Sequence, residues 1–122
     1  MWCVIADDVA GLGRIDKINL EGYFYVMEKG TPHYPLSRVK ELVSSGNVRS
    51  TAAALRCARE LGFRPVSMIA EILKLERTEF YKSMTTNHTI WQDVYHHKTD
   101  KGMLYIKLTV LDDVLVVSFK EL

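Results

Sequence analysis

Apolar residues recur at helical spacing from Leu36 to Leu75 and at a spacing of two after Thr86. Leu36, Val39, Leu42 and Val43 form one helical stripe, with Ser37 near its start and Gly46 as the stop. "SGNVRSTAAALRCARELG" offers Ser50 or Thr51 as N-cap and Gly62 as C-cap, and places Leu55, Ala58 and Leu61 inward. A third helix is expected from Pro65, a residue suited to a first helical turn, with Met68, Ile69, Ile72, Leu73 and Leu75 on one broad side. Thr78 is expected to cap one more helical turn containing Phe80 and Tyr81.

"TIWQDVYHH", "MLYIKLTVL" and "VLVVSFK" then read as strands separated by "KTDKG" and "DD". Helices followed by strands predict an α+β fold, with N-terminal helices packed on one face of a C-terminal antiparallel sheet. If the last loop is Asp112-Asp113, cross-strand partners have positions summing to 225. Leu104, Ile106, Leu108 and Val110 then share the buried face with Leu115, Val117 and Phe119. The other face, expected to be open, carries Tyr105, Lys107 and Thr109 beside Val116, Ser118 and Lys120, with Tyr105 opposite Lys120 and Lys107 opposite Ser118. An odd-length loop would break these pairings.

Composition narrows the classes. At 122 residues the chain is one domain's worth. No apolar run approaches the roughly 20 residues that span a bilayer. "MWCVIADDVAG" makes a poor signal peptide, so a cytoplasmic protein is expected. Cys3 and Cys57 have no CxxC spacing and indicate no zinc site. Residues 1–26 have no sustained period and carry four acids against two bases, whereas the remainder is net basic, with Lys29, Arg38, Lys40, Arg49, Arg56 and Arg59 ahead of Gly62. That basic excess points weakly to an anionic partner. "GLGRID" lacks the third glycine of a dinucleotide fingerprint. Residues 1–26 are expected to be a dispensable extension of a domain spanning 27–122.

"MEKGTPHYPLSRVKELV" from Met27, "FYKSMTT", "HTIWQDVY" and the ending "VLVVSFKEL" together resemble the MqsR (motility quorum-sensing regulator) family of bacterial toxins. The resemblance implies a RelE-like toxin of a type II toxin–antitoxin pair: a ribosome-independent endoribonuclease that cuts mRNA and is neutralised by a cognate MqsA-type antitoxin. It places the family's functional residues at Lys82, Gln92, Tyr105 and Lys120. Two of these are the pair that the hairpin arithmetic brings together. The family's link between the MTT and HTIWQD motifs is longer than here, where only Asn87 intervenes; a GCU preference is what the resemblance implies.

RNA supplies its own nucleophile, so an enzyme need only move protons and stabilise charge on the phosphorus. Lys82 and Lys120 are suited to the charge, Tyr105 to proton donation and Gln92 to positioning. Tyr81 is a candidate to stack on a splayed base, and Lys107 and His88 to contact RNA. No cofactor is expected and no metal, because no carboxylate cluster is evident. His96 and His97, adjacent on a strand, point to opposite faces and cannot chelate one ion together. If Gln92 faces the site, Trp91 should point into the core. Two other readings use the same surface: a non-catalytic nucleic-acid-binding regulator, and a module that docks only a partner protein.

Overall fold

The computed structural model describes residues 26–122. The "GLGRID" stretch and all of the proposed extension except Val26 lie outside the described residues. Three helices, α1 (Leu36–Ser44), α2 (Ala52–Glu60) and α3 (Pro65–Leu73), cover one face of a six-stranded sheet. Its strands are β1 (Met27–Lys29), β2 (Val48–Ser50), β3 (Phe80–Thr85), β4 (Gln92–Thr99), β5 (Gly102–Val110) and β6 (Val114–Glu121), in the spatial order β1-β3-β4-β5-β6-β2. The α+β reading holds. The sheet, however, is mixed rather than antiparallel, because β2 runs parallel to β6, and two of its strands come from the N-terminal half. A strand of three residues carries too little alternation to be read from sequence.

Helix boundaries follow local chemistry. Thr51 caps α2, its hydroxyl oxygen accepting from the Ala54 N–H at 3.0 Å, and Gly46 and Gly62 stop α1 and α2 with φ of 85° and 91°. The inward stripe of α2 is Ala54, Cys57 and Ala58; Leu55, expected inside, is 39% exposed. Residues 54, 57, 58 and 61 are the i, i+3, i+4, i+7 set, and Leu55 lies one position off it.

"FYKSMT" is strand β3, not a helical turn; a single 3-10 turn, Arg77–Glu79, ends just before it. Two features hide this strand from a periodicity reading. Its register shifts between Phe80 and Lys82, making Tyr81 the extra residue of a bulge, and Ser83, Met84 and Thr85 are all buried, so alternation is absent. Phe80 does anchor the segment, edge-on against Tyr95 at 5.6 Å beside the main core.

The last hairpin keeps the expected outer pairings and changes the inner ones. Tyr105 lies opposite Lys120, Ile106 opposite Phe119 and Lys107 opposite Ser118. Past that point Leu108 pairs with Val116 and Val110 with Val114, leaving Val117 as a bulge and Leu111-Asp112-Asp113 as the loop. The loop is therefore odd in length, and the bulge absorbs the extra residue. Val114 and Val116 consequently enter the core, in place of Leu115 and Val117. The Thr51 hydroxyl donates to the Val117 carbonyl at 3.0 Å, tying the start of α2 to the bulge.

The second sheet face is less open than expected. Val26, Met84 and Val94 form a small apolar cluster there with Tyr105 against it, and Lys107 and Ser118 are buried at 4% and 7% exposure.

Candidate active site

Strand alternation puts Lys82, Val94, His96, Tyr105, Lys107, Ser118 and Lys120 on the sheet face away from the helices. Across it run two neighbouring rows. One is Lys82, Val94, Lys107 and Ser118; the other is His96, Tyr105 and Lys120, extended by Tyr81 from the β3 bulge. The bulge is what lets two consecutive residues, Tyr81 and Lys82, serve the same face.

Tyr81 stacks on His96 with ring centroids 4.1 Å apart, and His96 stands 6.2 Å from the Tyr105 ring. The Lys120 ammonium lies 5.1 Å from the Tyr105 ring centre, and the Lys107 ammonium 6.0 Å. Lys82 is paired with Glu28 of β1 at 2.6 Å and sits 5.4 Å from the Tyr81 ring centre. Three ammonium groups and one imidazole thus gather around the two tyrosine rings. Glu28 holds the Lys82 side chain in place, and an arriving phosphate would have to compete with it.

The structure therefore brings together Lys82, Tyr105, Lys120, Tyr81 and Lys107. Lys107, expected on an open surface, is buried with its ammonium near the Tyr105 ring. Gln92 shares the face but lies beyond Val94, opposite Met84. His88 lies in the 86–91 link with a φ of 63°, outside the cluster. Trp91 does not enter the core; it stacks on His33 at 5.3 Å under the Lys29 ammonium. The reason is that β4 begins only at Gln92, so strand alternation does not govern the residue before it.

His96 is the residue that sequence reasoning missed. Its period-two spacing from Gln92, together with the pairing to Tyr105, was the available signal. Burial, and secondarily the charge of Lys82, lower its pKa from the usual 6.5, so the ring is neutral at neutral pH. Its ring nitrogens make no hydrogen bond among the described residues. His97, one residue on, is the opposite case. Buried on the helix face, its Nε2 is 2.8 Å from Glu71 and its Nδ1 2.9 Å from Glu79. Both nitrogens are occupied in joining α3 and the 3-10 turn to β4. Burial would raise the Glu79 carboxyl, but the Lys98 N–H and His97 outweigh it and hold it below the usual range.

The opposite face explains the aspartate of "WQDV". Asp93 is fully buried and accepts from the His33 N–H (3.1 Å), the Tyr34 N–H (3.0 Å) and the Ser83 hydroxyl (2.6 Å). It clamps the loop before α1 onto the strand whose other face bears Val94 and His96. Beside it, burial and then the Asp93 charge push the Tyr95 phenol up to about 12, leaving it a core group rather than a proton donor.

Residues 31–121 match the family described as motility quorum-sensing regulator, toxin of MqsA. The chain is 55% identical over 97 residues, 78% of its own length and 99% of the relative's, to the mRNA interferase toxin MqsR of Escherichia coli (strain K12). No helix among the described residues is long and apolar enough to cross a membrane.

Proposed function

This chain belongs to the motility quorum-sensing regulator family of toxins, and on that premise we propose that it is the toxin of a type II toxin–antitoxin pair, an endoribonuclease that cleaves mRNA and so stops translation and growth. The observation that carries the reading is the gathering of Lys82, Lys120 and His96 around the Tyr81 and Tyr105 rings on one sheet face. The helices layered on the other face are what a RelE-like arrangement requires. An MqsA-type antitoxin is its partner, by the family's description; single-stranded mRNA is its substrate and the cytoplasm its compartment.

The chemistry needs no metal. His96, neutral near pH 7, takes the proton from the 2′-hydroxyl, whose oxygen then bonds to phosphorus. Lys82 and Lys120 offset the charge that builds on the phosphoryl oxygens. The P–O5′ bond breaks, and the 5′-oxygen takes a proton supplied from Tyr105 or Lys120. The products are a 2′,3′-cyclic phosphate and a 5′-hydroxyl. Tyr81, 53% exposed, offers a ring face to an unstacked base.

Purified protein incubated with mixed-sequence RNA in excess chelator should produce fragments with those ends. RNA retained but uncut would leave only a binding function; cutting abolished by chelator and restored by magnesium would overturn the metal-free route.

The His96 assignment predicts an acidic limb. Cleavage should fall about tenfold per pH unit once the pH drops below the ring's pKa, which lies under 6.5. The limb should be absent in His96→Phe, which preserves the stack on Tyr81. An unchanged limb in that variant would remove His96 from proton transfer.

We also propose that the toxin domain starts at Met27. Expression from that residue should leave melting temperature and cleavage nearly unchanged. Val26 packs on Met84 and Val94, so a fall in melting temperature restored by starting at Val26 would move the boundary by one residue. Loss of folding from either start would show that residues 1–25 complete the core.

A further inference from the structure

Past the end of the lysine and tyrosine cluster, where β3 runs into the 86–91 link, the sheet face ends in a cavity of about 200 Å³ lined by Met84, Thr85, Thr86, Asn87, Ile90 and Gln92. Pockets for drug-sized ligands run ~300–1,000 Å³, so this one suits a single ring system. Its walls are mixed in the way a base requires. Met84 and Ile90 supply apolar surface, and three polar side-chain groups have no hydrogen bond among the described residues: the Gln92 amide, the Asn87 amide nitrogen and the Thr86 hydroxyl.

The orientation of Asn87 follows from its partners. Its Oδ1 accepts from the backbone N–H groups of Thr89 and Ile90, each at 2.9 Å. The oxygen end is fixed in shaping the turn, so the NH₂ end is the one left over. Thr85 reinforces the turn by donating to the Ile90 carbonyl at 2.6 Å. The shortness of the link is thus stabilised by three hydrogen bonds from two side chains, giving the cavity a preformed wall. Gln92 enters the same cavity with one donor and one acceptor side by side, the pattern that reads a base edge through two hydrogen bonds.

Position completes the case. Gln92 stands two residues along β4 from Val94, the partner of Lys82, and so about 7 Å from the row that meets the phosphate. A group that far from the Lys82 row is poorly placed to touch the reacting atoms and well placed to touch a neighbouring nucleotide. We propose that this cavity is a subsite for one unstacked nucleobase adjacent to the scissile phosphate, with Gln92 as its reader. Gln92 then determines where the RNA is cut rather than how.

The inference rests on the ribonuclease reading, and cut-site mapping separates the two. Wild type, Gln92→Leu and Gln92→Glu are each incubated with an RNA carrying a randomised segment, and the bases flanking every cut are counted. Wild type should show a bias at one flanking position. Gln92→Leu should reduce that bias by about tenfold or more, as expected when a bidentate contact is lost, and Gln92→Glu, which exchanges the donor for an acceptor, should move the preference to another base. Thr86→Val should weaken the bias further in either background. If all variants keep the wild-type bias and cut every site equally more slowly, Gln92 belongs to the chemistry and the subsite is wrong. If wild type cuts no RNA, it is the ribonuclease reading that fails.

Discussion

Lys82→Ala and Tyr105→Phe should each lower RNA cleavage by about 10²–10⁴, the range for removing a charge-stabilising or proton-transferring group, with the fold intact. The choice of substitution matters at Tyr105. Its ring packs against the Val26, Met84 and Val94 cluster and lies between His96 and the Lys120 ammonium. Phenylalanine keeps that packing and deletes only the hydroxyl, whereas alanine would confound chemistry with a cavity. At Lys82 the partner left behind is Glu28, whose side chain is 28% exposed. A partly exposed ion pair contributes ~0–1 kcal/mol, so circular dichroism and melting temperature should barely move. Lys120→Ala combined with Tyr105→Phe should cost less than the sum of the two single losses, because the two side chains face each other across β5 and β6. Near-wild-type turnover in both single variants would exclude this face as the catalytic site. Full additivity of the pair would separate Tyr105 from Lys120.

The parts of this site that were legible in the sequence are those carried by period and pairing. Tyr105 opposite Lys120 followed from counting inward from a turn, and it survived an incorrect turn. The true loop has three residues, and the Val117 bulge restores the outer register. Bulges have no compositional mark in "VLVVSFK", where every candidate position is apolar or small, so the inner half of the hairpin could not be read. Val114 and Val116 replaced Leu115 and Val117 in the core for that reason alone. The Tyr81 bulge had the same effect on β3, with greater consequence: it joins Tyr81 to the face of Lys82. The 27–29 and 48–50 strands were invisible because three residues show no alternation, and with them went Glu28, the partner of Lys82.

The two histidines give the most direct lesson. Opposite faces were predicted for His96 and His97, and opposite faces are observed. That alternation excludes shared metal binding by the pair. Carried one step further, it assigns His96 to the face of Tyr105, Lys107 and Lys120, and His97 to the helices. Which histidine retains unoccupied nitrogens depends on Glu71 and Glu79, residues 26 and 18 positions away, and no local pattern reports such contacts.

Asp93→Ala should be the most destabilising single substitution near the site while touching none of its chemistry. The carboxylate is fully buried and receives two backbone N–H groups from the 33–34 loop and the Ser83 hydroxyl. Its removal strands three donors away from water, each costing about 1–3 kcal/mol if left unsatisfied. Loss of the buried charge itself offsets part of this, since an ionised group in the interior is costly to desolvate. A net loss of about 2–5 kcal/mol is expected, read as a lower denaturant midpoint at unchanged slope. Asp93→Asn should lose less, because its remaining oxygen still accepts while its NH₂ opposes only one of the donors. Released from Asp93, His33 would no longer be held against Trp91, so tryptophan fluorescence should change along with stability. Cleavage per folded molecule should stay within a few-fold of wild type, because strand alternation turns the Asp93 side chain away from Lys82 and His96. A denaturant midpoint unchanged in Asp93→Ala would mean that the loop before α1 holds its place without the clamp. A large activity loss at full stability would instead put Asp93 in the catalytic machinery, against the face assignment on which the site rests.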